Sequence, residues 1–478
     1  MSTPDRPLVV VANRLPVSRG PDGWQPSAGG LVTALRPVIE QTGGAWIGWD
    51  DDPDGVPDDV EGLACTLHPV HLTRAQVRGY YHGFANRTLW PLCHDLVVEP
   101  VIERRWWHAY EQVNERFADR VIDVIDGLDT APMVWVHDYH LMLVPALVRA
   151  RRPDIPIGFF LHIPFPPPEI FARLPWRAEL LDGLLGADSI GLHTPRYRDN
   201  VLHTVAHLRP RAHLEGQTVV GGGGHVTRVA AHPISIDTDE FAALAVDDDT
   251  ERELDDLRTQ FAGRHVMLGV DRLDYTKGIR HRLQSIEQLL TDDEDLRARF
   301  AFIQIAVPSR DDVREYRELR EQVETEVGRI NGRFTDPGHD VPVHYLYRGV
   351  SRTALAAYYR LADVMCVTPL KDGMNLVAKE FVTVQDAVEG TGVLLLSEFC
   401  GTANEFGDDP VRCNPFDVEG QSRLMAQALA LDDDDRRARV QRMAGVVRSA
   451  DVYRWVEQEL DDIVAGHDAA VTGPRDGS

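Results

Sequence analysis

Cysteine is scarce in this chain. Cys65, Cys93, Cys366, Cys400 and Cys413 are the only five in 478 residues. They are odd in number and scattered, with no C-x-x-C pair, which excludes a disulfide framework and a zinc ribbon and fits buried thiols in a reducing cytoplasm. Long apolar runs are missing too. No segment approaches the ~18 apolar residues of a membrane span, and the run near Leu8 is too short for a signal-peptide core. A soluble, cytoplasmic protein with no membrane partner is expected. Basic residues are in deficit, 50 against 75 acidic, for a formal net charge of -25. That argues against nucleic acid as a partner. No tandem repeat of about 20–50 residues is present. The acidic runs Asp50–Asp52, Asp247–Asp249 and Asp432–Asp435 are expected as solvated loops.

Apolar residues are abundant, at 43%, and the length suffices for two or three domains. The first half alternates short apolar runs with helical patterns, which predicts a mainly parallel sheet. Leu8–Ala12 ends in Asn13-Arg14. A loop with Gly29 and Gly30 leads into a helix over about 31–40, and 45–49 is the next strand. Tyr80–Pro91 is aromatic and aperiodic, a packed loop or a sugar-facing surface. Strands at 133–136, 157–161 and 189–192 end in His137-Asp138-Tyr139-His140, His162 and His193, with helices expected over 101–125 and 141–149. Chemistry-bearing residues at carboxyl ends of strands matter, because ligands bind at that edge of open α/β sheets. A lone histidine there is more often a hydrogen-bonded core residue; several at one edge shift the balance. Gly221–Gly224 joins two β-like runs and opens no helix, so it reads as a hairpin turn and not a phosphate loop.

A second α/β series starts after a boundary near 232–245. Strand 265–270 leads into Asp271-Arg272-Leu273-Asp274-Tyr275-Thr276-Lys277-Gly278 and a helix. Two cations in one strand-to-helix loop can hold a diphosphate and stabilise it as it leaves. Strand 300–307 precedes Arg310. Val364–Val367 is a buried strand, and Asp372-Gly373-Met374-Asn375 is a turn opening a helix. Val377, Phe381, Val384 and Val388 share one face of that helix; Gly373, Leu376 and Glu380 share another. A helix N-terminus that favours anions, a glycine and a carboxylate one turn in suit a sugar nucleotide. A capped surface helix would look similar.

Seven motifs, VVVANRLP, SAGGL, YYHGFANRTLWP, VHDYHLMLVP, FFLHIPFP, DRLDYTKG and TPLKDGMNLVAKEFV, resemble those of the trehalose-6-phosphate synthases. These are retaining glycosyltransferases of family 20, with two Rossmann-like domains facing across a cleft (GT-B). The resemblance runs from about Leu8 to Gly466. It implies an acceptor domain at 1–235, a nucleotide-sugar domain at 236–450, a helix at 451–466 crossing back to the first domain, and a disordered tail at 467–478. It implies that Arg14, Tyr81 and Arg310 hold the acceptor's phosphate and that Trp90 and Asp138 touch its sugar. Gly29 and Gly30 would close over the donor, Arg272 and Lys277 bind its diphosphate, and His162 and Asp372 contact the transferred glucose. Gly373, Met374, Asn375, Leu376, Val377, Ala378, Lys379 and Glu380 would line the donor, with Glu380 on the ribose and Val350 at the base. Asp372, His162, Arg272 and Lys277 form the implied catalytic set.

The implied reaction moves glucose from a nucleoside diphosphate glucose to glucose 6-phosphate. It proceeds by front-face attack, without metal or cofactor, in a homodimer or homotetramer. UDP, GDP and ADP are all compatible, since the family reads the base largely through main-chain groups. Two alternatives stand beside this reading. One is a related transferase, such as a glucosylglycerol-phosphate synthase or a cyclitol-coupling pseudo-glycosyltransferase. The other is a silent homologue that binds sugar phosphates; the presence of each matched residue speaks against it.

Overall fold

The computed structural model describes residues 6–472, apart from 21–22, 27–31, 33–34, 36–38, 40–43, 51–54, 58–59, 61, 64, 311–312 and 336–339. The chain divides into two compact units. One is drawn from residues up to Ile234 together with those from Val452 onward; the other is the contiguous segment Ser235–Asp451.

The first unit carries β1 (Leu8–Arg14), the small hairpin β2 (Val17–Gly20) and β3 (Gly23–Pro26), β4 (Ala45–Asp50), β5 (Thr66–His71), β6 (Met133–His137), β7 (Ile157–Phe160), β8 (Ser189–Leu192), β9 (His213–Glu215), β10 (Thr218–Val220) and β11 (Val226–Ala231). Its main sheet runs β5-β4-β1-β6-β7-β8-β11-β10-β9. The first seven strands in that order are parallel, and β10 and β9 turn back antiparallel. Apolar β-branched runs such as Val9-Val10-Val11 are buried on both faces, as a parallel sheet covered by helices requires. The glycine run is the expected turn. Gly221 N–H donates to the His225 carbonyl at 2.8 Å and Gly224 N–H to that of Gly221 at 2.9 Å.

The second unit carries β12 (His265–Arg272), β13 (Phe300–Val307), β14 (Val343–Leu346), β15 (Val364–Val367), β16 (Val393–Ser397) and β17 (Val411–Cys413), all parallel, in the order β14-β13-β12-β15-β16-β17. Alternate side chains feed two cores. Val266, Leu268, Met365 and Val367 enter one, and Met267, Phe302, Val364 and Cys366 the other, with the period of two that a pleated strand imposes. In both units the strand order reverses beside the first strand. The crevices outside the carboxyl ends of β1/β6 and β12/β15 are therefore the two places where such sheets bind ligands.

Three local expectations are corrected. The aromatic segment is not a loop. Arg78–Leu89 is a π-helix with Tyr80, Phe84, Ala85 and Leu89 fully buried, and its pitch, closed by Trp90 N–H on the Ala85 carbonyl, matches no 3.6-residue pattern. Two acidic runs cap helices. Asp247 accepts from Asp249 N–H ahead of the helix Asp248–Gln260, and Asp432 accepts from Asp434 and Asp435 ahead of Asp433–Ser449. Carboxylates at those positions satisfy first-turn N–H groups and oppose the helix dipole. Lastly, the terminal helix Val452–Thr472 continues through residues expected as tail, and 473–478 lie outside the described residues. His467 Nδ1, in the extension, lies 3.5 Å from Asp188.

The terminal helix packs on β7, β8 and β11. Trp455 lies against Trp135 and Phe160, with ring centroids 5.2 and 5.0 Å apart. Gly158 and Gly191 lack the Cβ that would collide with Ile463 and with the Glu459 carboxyl. Glu459 is 1% exposed and its Oε1 has no hydrogen-bond partner among the described residues. Burial, and after it the nearby Asp462, push its pKa well above the usual carboxyl range. The folded protein therefore holds this proton more tightly than the unfolded chain. The stability it contributes is full below the unfolded carboxyl pKa and is lost as pH rises toward the folded one. Glu459→Gln should raise the melting temperature by more at about pH 8 than at about pH 5. Equal shifts in thermal melts at the two pH values would contradict a protonated Glu459.

Candidate functional site

At the reversal in the second unit, β12 ends in Arg272 and continues into a turn at Tyr275–Lys277, whose Asp274 side chain accepts from Thr276 N–H at 2.9 Å. Gly278 follows in the left-handed region (φ +67), and a Cβ there would collide with the Thr368 carbonyl. The glycine thus seats the β12 loop against the end of β15. Lys277 Nζ then meets Asp372 Oδ2 at 2.6 Å. Burial opposes the ammonium charge. The Asp372 carboxylate and its hydrogen bond outweigh that, so Lys277 stays protonated with its pKa above the ordinary lysine value, even though neighbouring Arg272 lowers it. Asn375 Nδ2 also donates to Asp372 Oδ2, at 3.1 Å. A lysine, an arginine and a doubly held carboxylate are gathered beside a helix N-terminus.

Arg282 lies beneath this loop with no exposed surface. Its Nη1 donates to Asp271 Oδ2 at 2.7 Å and Gln304 Oε1 at 2.8 Å, its Nε to Thr368 Oγ1 at 2.9 Å and its Nη2 to the Lys277 carbonyl at 3.4 Å. Gly269 leaves the room; a Cβ there would sit 2.6 Å from both Arg282 Nη1 and Gln304 Oε1.

The helix Leu376–Ala387 is capped as its sequence predicts, with Asn375 Oδ1 accepting from Ala378 N–H at 3.1 Å. Thr402 braces the cap: its hydroxyl accepts from Asn375 N–H at 3.1 Å and lies 3.2 Å from Met374 Sδ. Gly373 is buried in the same turn. The Leu376 and Val377 N–H groups lie in the first turn, where helical amides have no intrahelical partner, while both side chains pack on the core with Ala378, Phe381 and Val384. Glu380 Oε2 accepts from Tyr359 Oη at 2.7 Å, and burial raises its pKa against the opposing effects of Tyr359 and Arg352. Lys379 stands just before Glu380 in the helix. Its side chain is buried and paired with Glu405 at 2.8 Å, so of this residue only the backbone could serve a donor. Val350 is half-buried against the core, just ahead of the Ser351 cap of the helix Arg352–Leu361. Arg310 adopts φ +52, and its guanidinium is held by Asp274 Oδ2 at 3.2 Å and by the Tyr316 hydroxyl.

At the reversal in the first unit, Arg14 at the end of β1 stacks its guanidinium over Trp49, 3.9 Å from the ring centroid, with the Tyr81 ring 5.6 Å away. Tyr81 is stacked on His140 at 5.8 Å. Asp138, just after β6, adopts φ +75; its Oδ1 accepts from His162 N–H at 3.2 Å and its Oδ2 lies 3.8 Å from His140 Nδ1. Trp90 is buried against Tyr139 and His94, with ring centroids 5.7 and 4.2 Å away. The structure thus brings Arg14, Tyr81, Asp138 and His162 to one strand edge, and Arg272, Lys277 and Asp372 to the other unit's equivalent edge. Gly29 and Gly30 lie outside the described residues.

The supporting partners escaped the sequence reading: Asp274 and Tyr316 behind Arg310, Tyr359 behind Glu380, Glu405 behind Lys379, and Arg282 behind the whole β12 loop. Only Asp274 had a signal, as part of the DRLDYTKG motif.

The sequence profile of Glycosyltransferase family 20 matches residues 6–465. A trehalose-6-phosphate synthase of Mycobacterium sp. (strain KMS) is 45% identical over 471 residues, covering 96% of this chain and 95% of that protein. Among solved structures, an alpha,alpha-trehalose-phosphate synthase (UDP-forming) from Burkholderia vietnamiensis superposes with a TM-score of 0.90 at 36% identity, covering 97% of this chain and 98% of that one. The Burkholderia xenovorans enzyme of the same name, in complex with glucose-6-phosphate, gives 0.87 at 35% identity, covering 96% and 100%.

The buried Lys379–Glu405 pair yields a test of what braces this edge. Glu405→Ala should cost about 3–5 kcal/mol by denaturant titration, because it strands a buried ammonium, whereas Lys379→Met with Glu405→Leu should come much closer to wild type. Equal losses for the single and double variants would remove the pair from the stability of this edge.

Proposed function

The chain belongs to glycosyltransferase family 20 and has the GT-B class of fold, two Rossmann-like units, and from that premise we propose that it transfers glucose from a nucleoside diphosphate glucose to glucose 6-phosphate, releasing trehalose 6-phosphate and the nucleoside diphosphate. The observation that carries this reading is the Lys277–Asp372 pair at 2.6 Å at the β12/β15 reversal, beside Arg272 and the Asn375-capped helix. Arg272, Lys277 and the helix N-terminus suit a diphosphate that gains charge as it departs. Asp372, held by Lys277 and Asn375, is oriented to accept from hydroxyls of the transferred sugar. Glu380, steadied by Tyr359, accepts from a ribose diol.

The transfer proceeds on one face of the sugar. The bond between the glucose anomeric carbon and the phosphate oxygen breaks, and a bond to the acceptor's hydroxyl oxygen forms. The hydroxyl proton passes to the departing phosphate oxygen, and the configuration is retained. The protein's part is orientation and charge stabilisation by groups fixed beforehand. Within the first unit, Arg14 and Tyr81 suit the acceptor phosphate, and Trp90 and Asp138 its sugar. Cationic side chains carry the diphosphate charge, with no metal in the reaction. UDP-glucose is the proposed donor, supported by the UDP-forming relatives. The free cysteines, four of them buried, fit a reducing cytoplasm.

Purified protein should release UDP from UDP-glucose only when glucose 6-phosphate is added, and should keep doing so after exhaustive chelation. Release without the acceptor, or none from any of the UDP, GDP and ADP sugars, would overturn the reading. Lys277→Ala and Asp372→Ala should each lower kcat by roughly a hundredfold or more, as for loss of a preorganised charge contact. Near-normal turnover would remove those residues from the mechanism.

A further inference from the structure

Three histidines end or follow neighbouring strands of the first unit: His137 on β6, His162 after β7 and His193 after β8. Ile234 N–H donates to His193 Nδ1 at 3.5 Å, so the His193 proton is on Nε2, and that nitrogen donates to the His162 carbonyl at 3.2 Å. His162 N–H is held by Asp138. The backbone of His162 is thus fixed on both sides, and at its ring His137 Nδ1 lies 3.1 Å from His162 Nε2, with the rings stacked at 5.3 Å.

Burial disfavours the charged form of both rings. Burial pushes the His162 pKa down to about 3, and burial followed by the neighbouring His162 holds His137 well below the usual range. Two neutral imidazoles can share only one proton at this contact. The far nitrogen of His137, Nε2, is buried with no partner among the described residues. An orphaned buried N–H is rarer and costlier than an under-used acceptor. The proton therefore sits on His137 Nδ1 and is donated to His162 Nε2.

We propose that His137 is a positioning residue that locks His162 in its Nδ1–H form, so that the imidazole offers a donor, and not an acceptor, to a hydroxyl of the transferred glucose. The last step rests on the proposed function; the tautomer does not.

Nitrogen-15 NMR of histidine-labelled full-length protein, with His162 assigned by its loss in His162→Asn, should show a protonated Nδ1 and a bare Nε2 on His162. A protonated Nε2 would overturn the proposal, and this spectrum, taken without substrate, is independent of whether the transferase reading holds. His137→Leu should move His162 to the Nε2–H form and lower kcat about tenfold or more with little change in KM for glucose 6-phosphate. His137→Asn, which restores an N–H near the Nδ1 position, should recover most of kcat. Equal kcat for the Leu and Asn variants, with the His162 tautomer unmoved, would also overturn it. Should the Leu variant fail to fold, the wild-type spectrum decides alone.

Discussion

The Arg282 guanidinium is the constraint on which the second unit's ligand edge depends. A fully buried cation is tolerable only when its donors are met, because the desolvation cost of an unpaired charge exceeds what nearby packing can offset. Here they are met by three adjacent strands and the backbone of the loop after β12: Asp271 on β12, Gln304 on β13, Thr368 after β15 and the Lys277 carbonyl. Those are the segments that must keep register for Lys277 to reach Asp372. An apolar residue of similar volume would fill the space, but it could not bond a hydroxyl, a carboxylate and a carbonyl at once. The charge specifies an arrangement.

The two edges are tuned in opposite senses. In the second unit, acidic neighbours keep Lys277 charged despite burial. In the first, burial strips charge from His137 and His162. A chain with an excess of 25 acidic charges repels anions at long range. Against that field the two edges offer short-range, fixed donors: guanidinium groups pinned over an aromatic ring or against a carboxylate, and a capped helix terminus.

Much of this was legible in the sequence because strand ends announce themselves. Val364–Val367 stops at Thr368-Pro369, and Asn375 caps the next helix as its position predicts. The carboxyl-end rule then directs attention to Arg14, Asp138, Lys277 and Asp372. What escaped were partners distant in sequence. Tyr359 precedes Glu380 by 21 positions, and Tyr316 follows Asp274 by 42; nothing local marks either. The π-helix Arg78–Leu89 escaped because the patterns sought have periods of 2 and 3.6. The acidic runs are solvated as their charge predicts, but charge density alone does not mark Asp247 and Asp432 as helix caps.

The first unit is assembled from two separated pieces of chain, while the second is continuous. Synthesis from the N-terminus therefore completes the second unit's sequence before the helix Val452–Thr472 exists. Until then β7 and β8 present bare glycines and the apolar surface that Trp455 and Ile463 later cover. On the ribosome the order of maturation is inverted: the unit that begins first finishes last. A premature stop just after Asp451 would spare the unit just completed and cripple the one begun hundreds of codons earlier.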